Sequence, residues 1–215
     1  MKKFAIVLSG SGVYDGSEIH EATMLFLAII KQGAEYECFA PDIDQHHVVN
    51  HITGKVIKET RNVLVESARI ARGLIKPLSS YKAIDFDALI FPGGYGVAKN
   101  LSNYNSEHEN CIVNPQIVKA IKQTHDLSKP IGAMCIAPVI IAKVLGNVTL
   151  TIGNDEVIAN NLEKMGATNV NTSYGEVIAD KKNKVFSTPC YMLDSNILDI
   201  YDGASNLVKS ILENL

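Results

Sequence analysis

The chain has 215 residues, 47% of them hydrophobic and 20% charged, with a formal net charge of -3. That composition suits a globular protein burying roughly 70% of its unfolded surface, and no Pro/Gly/Ser-rich linker interrupts it, so a single domain over residues 1–215 is expected. The balance of charge gives no basis for a nucleic-acid partner or an anionic membrane surface, and no apolar run reaches the roughly 20 residues of a membrane span.

Met1-Lys2-Lys3 and the apolar run from Phe4 to Leu8 superficially resemble a secretion signal, but Ser9-Gly10-Ser11-Gly12 ends the run after one strand's length. A strand is expected there. Gly10-x-Gly12 lacks the third glycine of a dinucleotide fingerprint, so no nucleotide cofactor is expected. Asp15 stands where it would cap the next helix, with Glu18 three residues on completing a capping box. The helical pattern runs from Glu21 to Lys31. Glu21 lies on the same face as Glu18, where that face turns apolar through Met24, Leu25 and Ala28. A carboxylate directed there either shares a proton with a partner or belongs to a solvated helix face.

Tyr36 to Ala40 reads as the next strand. His46, His47 and His51 follow in a polar loop without the fixed spacing of metal ligands, so they read as solvated and no metal site is expected. Ala88 to Phe91 is a continuous apolar run of the kind buried on both faces of a parallel sheet. Pro92-Gly93-Gly94 closes it. The glycines let backbone amides approach a ligand closely, as in an oxyanion hole, or simply form a tight turn. His108 sits in a polar stretch and reads as solvated. His125 stands at a helix end, where a cation complements the dipole.

Ile131 to Met134 is a second buried strand, and Cys135 follows it directly. Pro138 suits a first helical turn and Gly146 a helix end, which puts Cys135 at a strand-to-helix elbow. There the helix amino end favours a thiolate; the alternative is a buried structural cysteine. Cys38, Cys111, Cys135 and Cys190 show no C-x-x-C spacing, which excludes a redox dithiol or zinc motif and suggests a reducing cytoplasm. A helix near Asp155 to Met165, a hairpin through Asp180 to Lys184 and a closing helix from about Leu193 to Leu212 complete the pattern. Strands alternating with helices predict a three-layer αβα sandwich on a mostly parallel sheet, flavodoxin-like, with ligands at the carboxyl ends of the strands.

The amino-terminal glutamate, the Pro-Gly-Gly turn and the cysteine elbow together resemble the ThiJ/PfpI branch of the class I glutamine-amidotransferase-like superfamily. "GVYDGSEIHEA", "CFAPD", "NVLVESARIARG", "FPGGYGVAKNL" and "TPCYMLD" resemble, in order and over essentially the whole chain, the ElbB group of that branch. This group is known as isoprenoid-biosynthesis proteins with an amidotransferase-like domain and as a cofactor-independent glyoxalase. The resemblance implies Cys135 as nucleophile, Gly94 and the Ile136 amide as oxyanion donors beside Gly93, and Glu21 as the carboxylate next to the thiol, with Glu18 its rival.

The chain departs from the branch at Ile136, where many members have histidine, which disfavours histidine-assisted and protease-like mechanisms. No histidine follows residue 125, so the late His-x-Glu pair of true glutaminases is missing and ammonia production from glutamine is not expected. No Asp-rich pair for a prenyl diphosphate is visible. The implied reaction is conversion of glyoxal or methylglyoxal to a 2-hydroxy acid through a Cys135 hemithioacetal, with Glu21 as acid/base and without cofactor or metal. A redox sensor oxidised at Cys135 and a protein deglycase are the alternatives. A homodimer is the implied assembly.

Overall fold

Three apolar segments set the centre of the molecule, because a strand without polar alternation must be covered on both faces. A computed structural model describes all 215 residues, Met1–Leu215. The elements in chain order are β1 (Lys3–Val7), α1 (Ile19–Lys31), β2 (Glu35–Ala40), β3 (Val48–Asn50), β4 (Lys55–Ile57), α2 (Val63–Ile70), β5 (Ile75–Pro77) and β6 (Ala88–Phe91). There follow α3 (Tyr95–Lys99), α4 (Tyr104–Glu107), α5 (Pro115–Asp126), β7 (Ile131–Met134), α6 (Pro138–Leu145), β8 (Thr149–Leu150), α7 (Glu156–Lys164), β9 (Thr168–Asn169), β10 (Ile178–Asp180), β11 (Val185–Thr188) and α8 (Ile197–Leu212).

Seven strands form the main sheet in the order β10-β11-β7-β6-β1-β2-β5, all parallel except β10. Every residue of β6 and β7 is buried, as the apolar runs require. Helices α1 and α8 pack together on one side, and α5 and α6 pack against the central strands from the other. This is the predicted three-layer arrangement. From β1 the chain builds outward through β2 to β5, then returns to β6 and proceeds the other way. The reversal falls between β1 and β6, and the loops after β1, β6, β7 and β11 gather at one end of the sheet.

Some expected boundaries move. Asp15 does not cap α1: its Oδ2 accepts from the Val49 amide at 2.7 Å and ties down the β3–β4 hairpin. Glu18 is the cap, accepting from the Glu21 amide at 2.7 Å. Asp155 caps α7 from outside by accepting from Ile158. The last helix begins at Ile197 because Asn196 and Asp199 form a reciprocal capping box, while Cys190–Met192 makes a separate tight turn ahead of it. The β3–β4 hairpin, α2 and β5 are too short for hydropathy patterning to announce.

Candidate active site

Cys135 is held at φ +56°, a left-handed conformation that costs a residue with a Cβ about 1–3 kcal/mol. Its amide donates to Thr188 O at 3.0 Å, which fixes the elbow to the neighbouring strand end. The side chain is 8% exposed and opens into a cleft of about 360 Å³. The amides of Gly94 and Ile136 lie near enough to the sulfur to pull the thiol down, and neither is committed to a backbone carbonyl. The two amides expected as oxyanion donors therefore face the Cys135 sulfur.

Glu21 meets the thiol, and Glu18 does not. Glu21 is 0% exposed. Its Oε2 accepts from the Gly93 amide at 2.9 Å, its Oε1 accepts from the Tyr191 amide at 3.3 Å, and the carboxyl lies against Cys135 beside Gly93. Glu18 caps the same helix and lines the cleft mouth. The position of Glu21 in the first turn of α1, which points at the ends of β6 and β7, makes this approach possible.

Burial first, then the neighbouring Glu18 charge, push Glu21 up to about 8, so the carboxyl holds its proton at neutral pH. Burial, reinforced by the Glu21 charge, also pushes the Cys135 thiol up, while the Gly94 and Ile136 amides pull it down. This corrects the expectation of a freely acidic thiol at the helix amino end. Desolvation outweighs the dipole, and the carboxyl gives up its proton before the sulfur does.

Gly93 explains why the turn contains glycine. A Cβ there would stand 2.4 Å from Cys135 Cβ and 2.5 Å from Glu21 Oε2. Gly94 has φ +98°, and a Cβ on it would meet Glu18 N and Gly16 O at 2.4 Å each. Gly93→Ala is therefore expected to push the thiol and carboxyl apart, with any turnover that depends on the pair falling at least about 100-fold while the far-ultraviolet spectrum stays native. Unchanged turnover would mean that the pair does not need its spacing.

Tyr191 escapes sequence reading, since it enters through its backbone amide and no spacing rule links it to Glu21. Its hydroxyl meets His20 Nδ1 at 2.8 Å. His108 is solvent-exposed, as its polar stretch suggested, and also borders the cleft. The loop histidines are tied into hydrogen bonds, His47 with Lys99 at 3.1 Å and His51 Nε2 accepting from the Tyr14 amide at 3.2 Å.

The chain is 43% identical to a rat protein named "ES1 protein homolog, mitochondrial", over 98% of this chain and 83% of the rat protein. It is likewise 43% identical to the human "Glutamine amidotransferase-like class 1 domain-containing protein 3, mitochondrial", covering 98% and 82%. No protein-family model matches. Among solved structures, an isoprenoid biosynthesis protein with amidotransferase-like domain from Ehrlichia chaffeensis superposes with a TM-score of 0.93 at 36% identity, covering 100% of this chain and 99% of that one. Glyoxalase III from Candida albicans shares the fold alone, with a TM-score of 0.62 at 14% identity over 99% and 97% of the two chains. The rat and human names overturn the expected cytoplasmic location. Buried unpaired thiols fit any reducing compartment, so the cysteine pattern never separated cytoplasm from mitochondrion.

Proposed function

This chain belongs to the family of ES1 and glutamine amidotransferase-like class 1 proteins, and from that footing we propose that it is a metal-independent enzyme converting glyoxal and related 2-oxoaldehydes to 2-hydroxy acids. The observation that carries the reading is a fully buried carboxyl packed beside an elbow thiol at the Gly93 turn, its proton affinity raised by burial, with two uncommitted amides near the sulfur. Aldehyde addition needs a nucleophile and an oxyanion site, and isomerisation needs a base within reach of two adjacent carbons. The cluster supplies all of these.

Glu21 loses its proton first, because the Cys135 thiol is pushed well above its ordinary value while the carboxyl sits at about 8, and the thiol passes its own proton to the Glu21 carboxylate as the sulfur attacks. The sulfur bonds to one aldehyde carbon, and that carbonyl's electron pair moves onto oxygen beneath the Gly94 and Ile136 amides. Glu21 gives the oxygen its proton, then as carboxylate takes the C–H proton of the hemithioacetal. The electron pair left behind forms an enediolate; Glu21 returns the proton to the neighbouring carbon, and the proton of the first carbon's hydroxyl passes to the second oxygen, giving the thioester of a 2-hydroxy acid. Water breaks the C–S bond and restores the pair. The sum is one dialdehyde plus one water to one hydroxy acid, with oxidation at one carbon balanced by reduction at the next.

Formation of glycolate from glyoxal, with chelator present and glutathione absent, tests this. Wild type should make glycolate and Cys135→Ala none. Peroxide oxidation of Cys135 without turnover would favour a redox sensor instead. The rate should rise with pH as the pair loses its first proton, with a midpoint near that of Glu21 at about 8. The Glu18 charge raises Glu21, so Glu18→Gln should move that midpoint down while changing maximal turnover by less than about three-fold. Loss of turnover in this variant would transfer the acid/base role to Glu18.

A further inference from the structure

A two-carbon dialdehyde fills only a fraction of the cleft's 360 Å³. The remaining wall is chemically selective. Tyr104 and Asn161 both line it and are 5% and 7% exposed. Asn161 Nδ2 donates to the Tyr104 hydroxyl at 3.0 Å. That bond uses the phenol's oxygen, and no group in the protein accepts its proton or donates to Asn161 Oδ1. Two residues more than nine-tenths buried thus present one free donor and one free acceptor to the cleft. A hydroxyl group is the complement of that pair, since it both donates and accepts.

Charge narrows the choice further. Glu18 and Asp155 line the cleft, and no lysine or arginine does. Lys99 packs on the Tyr95 ring at 5.0 Å from its centroid, with its ammonium donating to Tyr14 O, and is not among the lining residues. A carboxylate or phosphate entering this space finds two carboxylates, with His108 at the wall as the sole side chain able to carry positive charge, in a setting less screened than bulk water.

We infer that the cleft selects uncharged 2-oxoaldehydes carrying a hydroxyl on the chain beyond the two carbonyls, with Tyr104 and Asn161 holding that hydroxyl, and that it rejects carboxylated and phosphorylated carbonyl compounds. This names the substrate class of the reaction proposed above and rests on it. Methylglyoxal and hydroxypyruvaldehyde differ only by the hydroxyl in question, and the phosphate ester of the latter adds the charge. In wild type, kcat/KM should favour hydroxypyruvaldehyde over methylglyoxal by about ten-fold, the scale of one satisfied hydrogen bond, and its phosphate ester should fall at least ten-fold below it. Tyr104→Phe, nearly isosteric, should raise KM for hydroxypyruvaldehyde about ten-fold more than it raises KM for methylglyoxal. Equal effects on both substrates, or none, would overturn the assignment of the pair.

A second readout needs no catalysis. The rates at which iodoacetamide and iodoacetate alkylate Cys135, normalised to the same ratio for N-acetylcysteine, should favour the neutral reagent at least ten-fold, and Glu18→Gln should narrow that preference. A normalised ratio near one, or no alkylation by either reagent, would overturn the inference. A strong neutral preference without turnover of any aldehyde would leave the charge selectivity standing and defeat the proposed reaction instead.

Discussion

Glu21→Gln is expected to lower the proposed glyoxal turnover by about 100-fold or more, the usual scale for removing a general acid/base. The amide retains the side chain's size, and its Oε1 still accepts from the Gly93 or Tyr191 amide, where Glu21 now accepts at 2.9 and 3.3 Å. Its NH₂ group still donates to the Cys135 sulfur, so alkylation of the thiol survives. What disappears is the ability to take a proton from one carbon and return it to the next. Glu21→Leu removes the donor as well and leaves the sulfur less willing to ionise, so both alkylation and turnover fall. Equal turnover in wild type and Glu21→Gln, measured as glycolate formed, would remove Glu21 from the reaction.

The same carboxyl makes the protein lose stability as pH rises. Its folded value is about 8 against an ordinary 4.5. Between those limits the folded chain keeps a proton that the unfolded chain has released, so the contribution is complete below about 4.5 and is lost as pH rises toward 8. At 1.36 kcal/mol for each unit the difference is roughly 5 kcal/mol, a large share of the stability of an ordinary domain. Glu21→Gln cannot titrate. Urea unfolding at pH 5, 6.5 and 8 should show wild type weakening relative to this variant by several kcal/mol across the series. Parallel pH dependences would show that the folded site tolerates the carboxylate, and the proton-sharing pair would then lack its basis.

The sequence made the central strands plain because burial on both faces leaves no alternation, as in Ala88–Phe91 and Ile131–Met134. Cys135 was legible for the same reason: a strand that ends and a Pro138 that begins a helix leave only an elbow between them. The short pieces were not legible. A three-residue strand such as Lys55–Ile57 carries too few side chains for a period to show, and its place depends on partners elsewhere. Asp15 failed as a cap because a longer-range acceptor role, toward Val49, competes with the local one. The choice between Glu18 and Glu21 depended on how α1 meets the ends of β6 and β7, a tertiary fact. The thiol's proton affinity was misjudged since helix position was visible in the sequence while desolvation was not. Tyr104 and Asn161, separated by 57 residues, meet only through packing.

The central claim is that Glu21 carries a proton between adjacent carbons of a Cys135-bound aldehyde, and the isotopic composition of the product tests it most directly. With glyoxal in deuterated water, a carboxyl that takes and returns the proton exchanges it with solvent between the two steps. The glycolate should then carry deuterium at carbon 2 in a substantial share of molecules. Glycolate bearing only the hydrogen that began on the aldehyde would show direct hydride migration and contradict the account.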